Sequence, residues 1–239
     1  MTPEQIQEIA RLRALNLSPK QIARQLGLRP AEVTAQIRAQ ATELETARVL
    51  SGELDPIDRC LINNHAAQVL LNPQANPSSK ELELDGIGGL AEIFVIRSHR
   101  NDYLISIYLV DYWCLGVKDA VPPRKANRNK CEQLIEQTYA NFDQGYQSIT
   151  LEQAQAIIFG AVDYAASLGI QPHPDFEQAK AHLGERMDNL PAIEFGHNGK
   201  PFYISGPYDK PEQIIATLKQ SVGEGNFEYL VQTAPGMRW

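Results

Sequence analysis

The sequence predicts an α+β fold in two parts, a three-helix head over residues 1–48 and a larger antiparallel-sheet and helix domain over 80–239, with a helical connector and loop over 49–79 between them. Three observations predict it. Apolar residues recur at helical spacing through the N-terminal stretch, punctuated by cap and turn residues. Tyr103 to Trp113 is rich in β-branched and aromatic residues, which favour a pleated, half-buried strand. Asn198-Gly199 lies between two short apolar segments, and both residues tolerate positive φ, the strongest short hairpin signal. Strands, then helices, then a hairpin is an α+β order rather than a repeating βαβ.

Composition permits this division. At 239 residues the chain is long enough for a small unit joined to a larger one, each with its own core. Its 43% hydrophobic and 21% charged residues are those of a folding chain, which excludes wholesale disorder. The longest apolar stretch, Tyr103 to Val117, is broken by Ser106 and Asp111 and falls short of the roughly 20 residues a membrane span needs. Met1-Thr2-Pro3-Glu4 leads straight into an amphipathic pattern without the basic-then-apolar run of a signal peptide, so a cytoplasmic location is expected. Cys60, Cys114 and Cys131 are widely spaced and form no C-x-x-C pair, which predicts reduced, buried thiols.

The net charge of −7 is unevenly distributed. Residues 1–48 carry seven basic and five acidic side chains, a net of +2, which leaves −9 for the rest. A mildly basic head on an acidic body can approach phosphates while the body is repelled from them.

Within the head, Ile6, Ile9 and Leu12 place one apolar stripe on a helix from Pro3 to about Ala14, which Asn16 and Leu17 break. Ser18-Pro19-Lys20-Gln21 is a capping box with proline at the first helical position, so a second helix starts there. Ile22, Ala23 and Leu26 give it an apolar face, and Gly27 ends it in a sharp turn. Pro30 opens a third helix, expected to continue through Thr46 with Val33, Ile37, Ala41 and Leu44 inward. The run Ser18-x-x-Gln21-Ile22-Ala23-x-x-Leu26-Gly27-Leu28-x-x-x-x-Val33-x-x-x-Ile37 resembles that of the helix-turn-helix DNA-binding proteins. The resemblance covers about 30 residues, and it implies that the helix from Pro30 enters the major groove. Arg29, Thr34 and Arg38 then face bases or phosphates, with Lys20 and Arg24 on the flanking backbone. Glu32 departs from a strongly basic reader, as either an acceptor from cytosine or an opponent of binding. The same three helices also serve in protein assembly modules, which is the alternative for the head.

In the remainder, Asp55-Pro56 is read as the start of a helix carrying Ile57, Leu61, Ala66, Val69 and Leu70. Lys80–Asp85, Leu90–Arg97 and Tyr103–Trp113 read as three strands, and 118–130 as a loop through Pro122-Pro123. Helices follow at about 130–142, 151–168 and 174–183, then a hairpin of 192–196 with 201–205, a helix over 211–222 and an apolar segment over 227–231. The phrases Leu109-Val110-Asp111-x-x-Cys114-Leu115-Gly116-Val117-Lys118-Asp119-Ala120 and Gly199-Lys200-Pro201-Phe202-Tyr203-Ile204-Ser205-Gly206-Pro207-Tyr208-Asp209 resemble those of an uncharacterised bacterial group fused to an N-terminal helix-turn-helix. That resemblance brings no activity with it.

Lys118, Arg124, Lys125, Arg128 and Lys130 crowd one segment just after Tyr112 and Trp113, the pattern of a second nucleic-acid contact. Asp111 continues the apolar row of Ile105, Ile107 and Leu109, so its charge needs compensation. Either it caps the following loop, the favoured reading, or it joins Asp85 and Asp119, or Glu194, around Mg²⁺ as in a metal-dependent nuclease. His173, Asp175, His182 and Glu185 lack a metal-binding spacing and read as solvated or capping groups. No catalytic set, metal or cofactor is assigned from the sequence. The expectation is a DNA-binding regulator or accessory protein with a sensing or assembly domain; its partner is DNA or in its place RNA, with no membrane. A homo-oligomer or protein partner is compatible with it.

Overall fold

A computed structural model describes residues 2–15, 17–37, 39–40, 54–72, 88–142 and 144–231. The chain forms two compact units, Met1–Leu54 and Asp55–Trp239. Their architecture is α+β.

The first unit holds α1 (Pro3–Ala14), α2 (Pro19–Leu26) and α3 (residues 30–37). Ile9, Leu12, Ile22, Ala23 and Val33 are buried together, with Leu17, Leu26, Leu28 and Ile37 packed around them. The expected continuation of α3 through Ala41 and Leu44 falls outside the described residues.

The second unit is built on a five-stranded antiparallel sheet in the order β4-β3-β2-β1-β5. Its strands are β1 (Ile57–Asn63), β2 (Leu90–His99), β3 (Asp102–Asp111), β4 (Gly116–Ala126) and β5 (Tyr146–Ile149). The helix expected from Asp55-Pro56 is thus a strand through Asn63, and only α4 (Asn64–Leu71) is helical. The cause is β1's place between β2 and β5, where both faces are covered and a strand reads as a nearly continuous apolar run. The Lys80–Asp85 strand candidate lies outside the described residues.

The β2–β3 hairpin matches expectation, with Arg100 taking positive φ (57°) in its turn. The supposed loop over 118–130 does not exist as a loop. It is edge strand β4 followed by α5 (Arg128–Tyr139), and an edge tolerates Pro122-Pro123 because its outward N–H groups have no ladder partner to lose.

Helix α5 covers one face of the sheet, where Cys131, Ile135 and Tyr139 pack on Leu61, Phe94, Ile96 and Ile105. The opposite face carries Ile93, Val95, Tyr108 and Val110 and is covered by α6 (Leu151–Ser167), whose Ala154, Ile157, Ile158 and Ala161 follow helical spacing. Buried Gln155 on α6 donates to the Leu183 and Glu185 carbonyls and accepts from Met187 N–H, which anchors the irregular chain beyond. The helix expected over 174–183 is split into α7 (Phe176–Ala179) and a 3₁₀ turn (Lys180–Leu183). Arg97 holds that turn by donating to the carbonyls of His182 and Asp55.

The C-terminal segments differ from the expected hairpin. His197 and Lys200 do exchange two backbone bonds, with Asn198 and Gly199 at φ 51° and 76°. However, β6 (Phe202–Ile204) pairs in parallel with β7 (Glu228–Leu230), across α8 (Pro211–Ser221), rather than with 192–196. Together they bury Cys114, Leu115, Leu168, Tyr203, Leu218 and Phe227. Among the described residues no helix is long and apolar enough to cross a membrane.

Candidate nucleic-acid interface

The head's surface is set by caps. Ser18 Oγ accepts from Gln21 N–H, and Gln21 Oε1 accepts from Ser18 N–H at 2.9 Å, so both halves of the capping box are made. Gly27 adopts the left-handed conformation at φ 65°, and Leu28 N–H closes onto the Ala23 carbonyl at 2.9 Å. That turn launches α3. Glu32 Oε2 accepts from Arg29 N–H at 3.2 Å, a bond that gives the acid a capping role. Gln40 Nε2 donates to the Ile6 carbonyl and ties the chain beyond α3 to α1.

The outward side of α2 and the start of α3 carry Lys20, Arg24 and Arg29, all exposed, with the small exposed Ala31 and Ala35 on α3. None of the three cations has a carboxylate partner among the described residues, whereas Arg11 on α1 is taken by Glu8. Small side chains allow a backbone to approach a groove closely, and unpaired cations at its edge can neutralise phosphates. Thr34 is half-buried, and its hydroxyl donates to the Pro30 carbonyl at 2.8 Å, leaving only its acceptor capacity. Arg38 lies outside the described residues.

In the second unit the five expected basic residues separate. Lys118 turns into the protein, its ammonium 2.9 Å from Asp209 Oδ2. Lys125 pairs with Asp102 at 3.1 Å. Arg124 at the end of β4, and Arg128 and Lys130 in the first turn of α5, remain exposed. Tyr112 and Trp113 are core residues at 1% and 4% exposure, so the expected aromatic platform beside these cations is absent.

Asp111 has the structural role. It ends β3, and its Oδ1 accepts from Trp113 N–H and Cys114 N–H, each at 3.0 Å. Burial lifts its carboxyl to about 6 against the pull of these bonds and of Lys118. Asp119 is on β4, where Oδ1 accepts from Ala120 N–H, and Asp85 is outside the described residues. Among those residues no group of three or more metal-binding side chains occurs. His182 is buried, which pushes its imidazole down to about 4. His173 instead accepts from Asp175 N–H near the surface. The three cysteines are buried, and desolvation raises the Cys60 thiol to about 12.

Arg100 escaped the sequence reading. It occupies the β2–β3 turn, and the register Tyr103↔Ala126 sets that turn beside the end of β4. Its signal was available only once 116–126 was recognised as a strand. No family model, curated protein or solved structure matches the chain.

Proposed function

We propose that this protein is a cytoplasmic DNA-binding regulator or accessory protein, whose first unit docks α3 in the major groove and whose second unit serves sensing or assembly. The observation that carries this is the capped α2, the left-handed Gly27 and α3 together presenting Lys20, Arg24 and Arg29 around exposed Ala31 and Ala35. Helix-turn-helix readers use this arrangement, with base contacts from the N-terminal part of the second helix of the pair and phosphate contacts around it. A head of net +2 on an acidic body makes the electrostatic part modest, so selectivity comes from fit in the groove.

Binding of the full chain to a randomised duplex pool, followed by selection, tests the reading. The Lys20→Ala, Arg24→Ala, Arg29→Ala variant should bind at least about tenfold more weakly. Arg29→Ala alone should relax preference at one base position, or reduce the salt slope by about one if it touches phosphate. Unchanged binding by the triple variant would show that this face is not the contact surface.

A further inference from the structure

The second unit is acidic overall, yet four of its unpaired cations are gathered together. Arg59, Lys118, Lys125, Lys180, Arg186 and Lys219 each pair with a carboxylate. Arg97 is buried on carbonyl oxygens. Among the described residues, Arg100, Arg124, Arg128, Lys130, Lys200 and Lys210 have no carboxylate partner; Lys200 and Lys210 stand apart, in the 197–200 turn and just before α8, and the chain order brings the other four to one end of the sheet. Arg100 lies in the β2–β3 turn and Arg124 is opposite Ile105 on β4. Arg128 and Lys130 follow directly in the first turn of α5, where Asn127 caps the helix by accepting from Lys130 N–H. The carboxylates at this end do not neutralise them: Asp58 and Glu132 hold Arg59, and Asp102 holds Lys125.

Protection of an open sheet edge explains charged residues and prolines along β4. It does not explain Arg100, Arg128 and Lys130, which are on a turn and a helix. Keeping four like charges together costs repulsion that an acidic surface elsewhere could have relieved. A polyanion placed across them removes that cost and releases its counterions.

We infer that this end of the second unit, formed by Arg100, Arg124, Arg128 and Lys130, is a phosphate-backbone contact for duplex DNA, separate from the head. The choice of DNA rests on the reading of the head given above. The aromatic in register at this end, Tyr103, packs against the core beneath α5, so the patch binds backbone and reads no sequence.

The test is equilibrium binding of the full chain to random-sequence duplex between about 50 and 200 mM salt. Replacing the four cations by glutamine should flatten the log–log salt slope by about two to four, at roughly 0.9 for each phosphate no longer neutralised, and leave sequence preference unchanged. Lys180, Lys200, Lys210 and Lys219 replaced by glutamine change net charge equally without touching the patch. An equal loss in that control, or an unaltered slope in the patch variant, overturns the inference. If the patch variant is unaltered while the Lys20, Arg24, Arg29 variant loses affinity, the patch fails and the head reading stands. If the patch variant loses slope while that head variant does not, the patch stands and the head reading fails. All four replaced side chains are exposed, and an unchanged thermal midpoint confirms that the variant is folded.

Discussion

Lys118 Nζ lies 2.9 Å from Asp209 Oδ2, across 91 residues of chain, and so locks the C-terminal segment onto β4. The same oxygen accepts from Gly206 N–H at 2.7 Å and from the Tyr203 hydroxyl at 3.3 Å. A Cβ at Gly206 would stand 2.8 Å from the Lys118 ammonium, so a larger residue there would make this flexible side-chain tip shift away from Asp209. Removing one partner of a well-buried pair leaves a desolvated charge, and that loss outweighs anything gained by the other. With the side chains at 23% and 10% exposure, Asp209→Ala should cost about 2–4 kcal/mol and Lys118→Met somewhat less. A double-mutant cycle by chemical denaturation should give a coupling of about 1–3 kcal/mol. Because Lys118 is engaged internally, Lys118→Met should leave the salt slope of DNA binding unaltered; a flatter slope would return this residue to the interface.

Two buried titrating groups act on stability with opposite signs. Burial raises Asp111 from 3.8 to about 6, so the folded chain holds that proton more tightly than the unfolded chain, and this contribution is lost as pH rises from about 4 to 6. Burial and Arg97 lower His182 from 6.5 to about 4, so its contribution is present above about 6.5 and is lost as pH falls toward 4. The two offset each other in the same window. Asp111→Asn keeps an oxygen for the Trp113 and Cys114 N–H groups but removes the offset, so its stability should fall more steeply than the parent's between pH 6.5 and 4. Asp111→Ala leaves both N–H groups unsatisfied and should cost about 1–3 kcal/mol at neutral pH. Parallel pH profiles for Asp111→Asn and the parent would rule out the raised carboxyl.

The head was legible in the sequence because its determinants are local: Ser18 with Gln21 fixes a start, Gly27 fixes a stop, and apolar spacing fixes the inward face. Strand β1 was not legible. Burial on both faces erased the alternation in Ile57–Asn63, and Ile57 with Leu61 fell by chance at helical spacing. Strand β4 was hidden by Pro122-Pro123, which argues against a strand everywhere except at an edge. Asp111 was half legible: its need for compensation followed from the pattern, but the partners came from the fold. The cluster at Arg100 depends on a register between β3 and β4 that no local signal encodes.

The caps of the head can be tested singly. Ser18→Ala removes the acceptor for Gln21 N–H and should cost about 1 kcal/mol. Gly27→Ala forces a Cβ into φ 65° with nothing within 4 Å of it, so only the backbone term of about 1–2 kcal/mol applies. Both losses should appear in unfolding of residues 1–54 and leave the second unit's transition in place, as read by hydrogen exchange. A loss spread evenly over both units would contradict their description as separate compact units.

Gly116 marks where the loop after Asp111 feeds into β4 beneath α6. All four loop residues, Tyr112 to Leu115, are buried, so the chain cannot bulge outward to relieve a clash. At Gly116 φ is 70°, and a Cβ would stand 2.7 Å from both the Ala161 carbonyl oxygen and the Ala165 methyl. Neither is the tip of a flexible side chain, so accommodating Gly116→Ala requires that β4 and α6 separate. Gly145 isolates the backbone term, since it has nearly the same φ, 68°, in the same unit and nothing within 4 Å of its Cβ position. Gly145→Ala should therefore cost about 1–2 kcal/mol. Gly116→Ala should cost that plus an overpacking penalty of about 1–3 kcal/mol, with the excess visible in chemical denaturation of the second unit. Equal losses at the two positions would show that β4 and α6 do not meet this closely, and the packing of Ala161 and Ala165 over the loop would have to be redrawn.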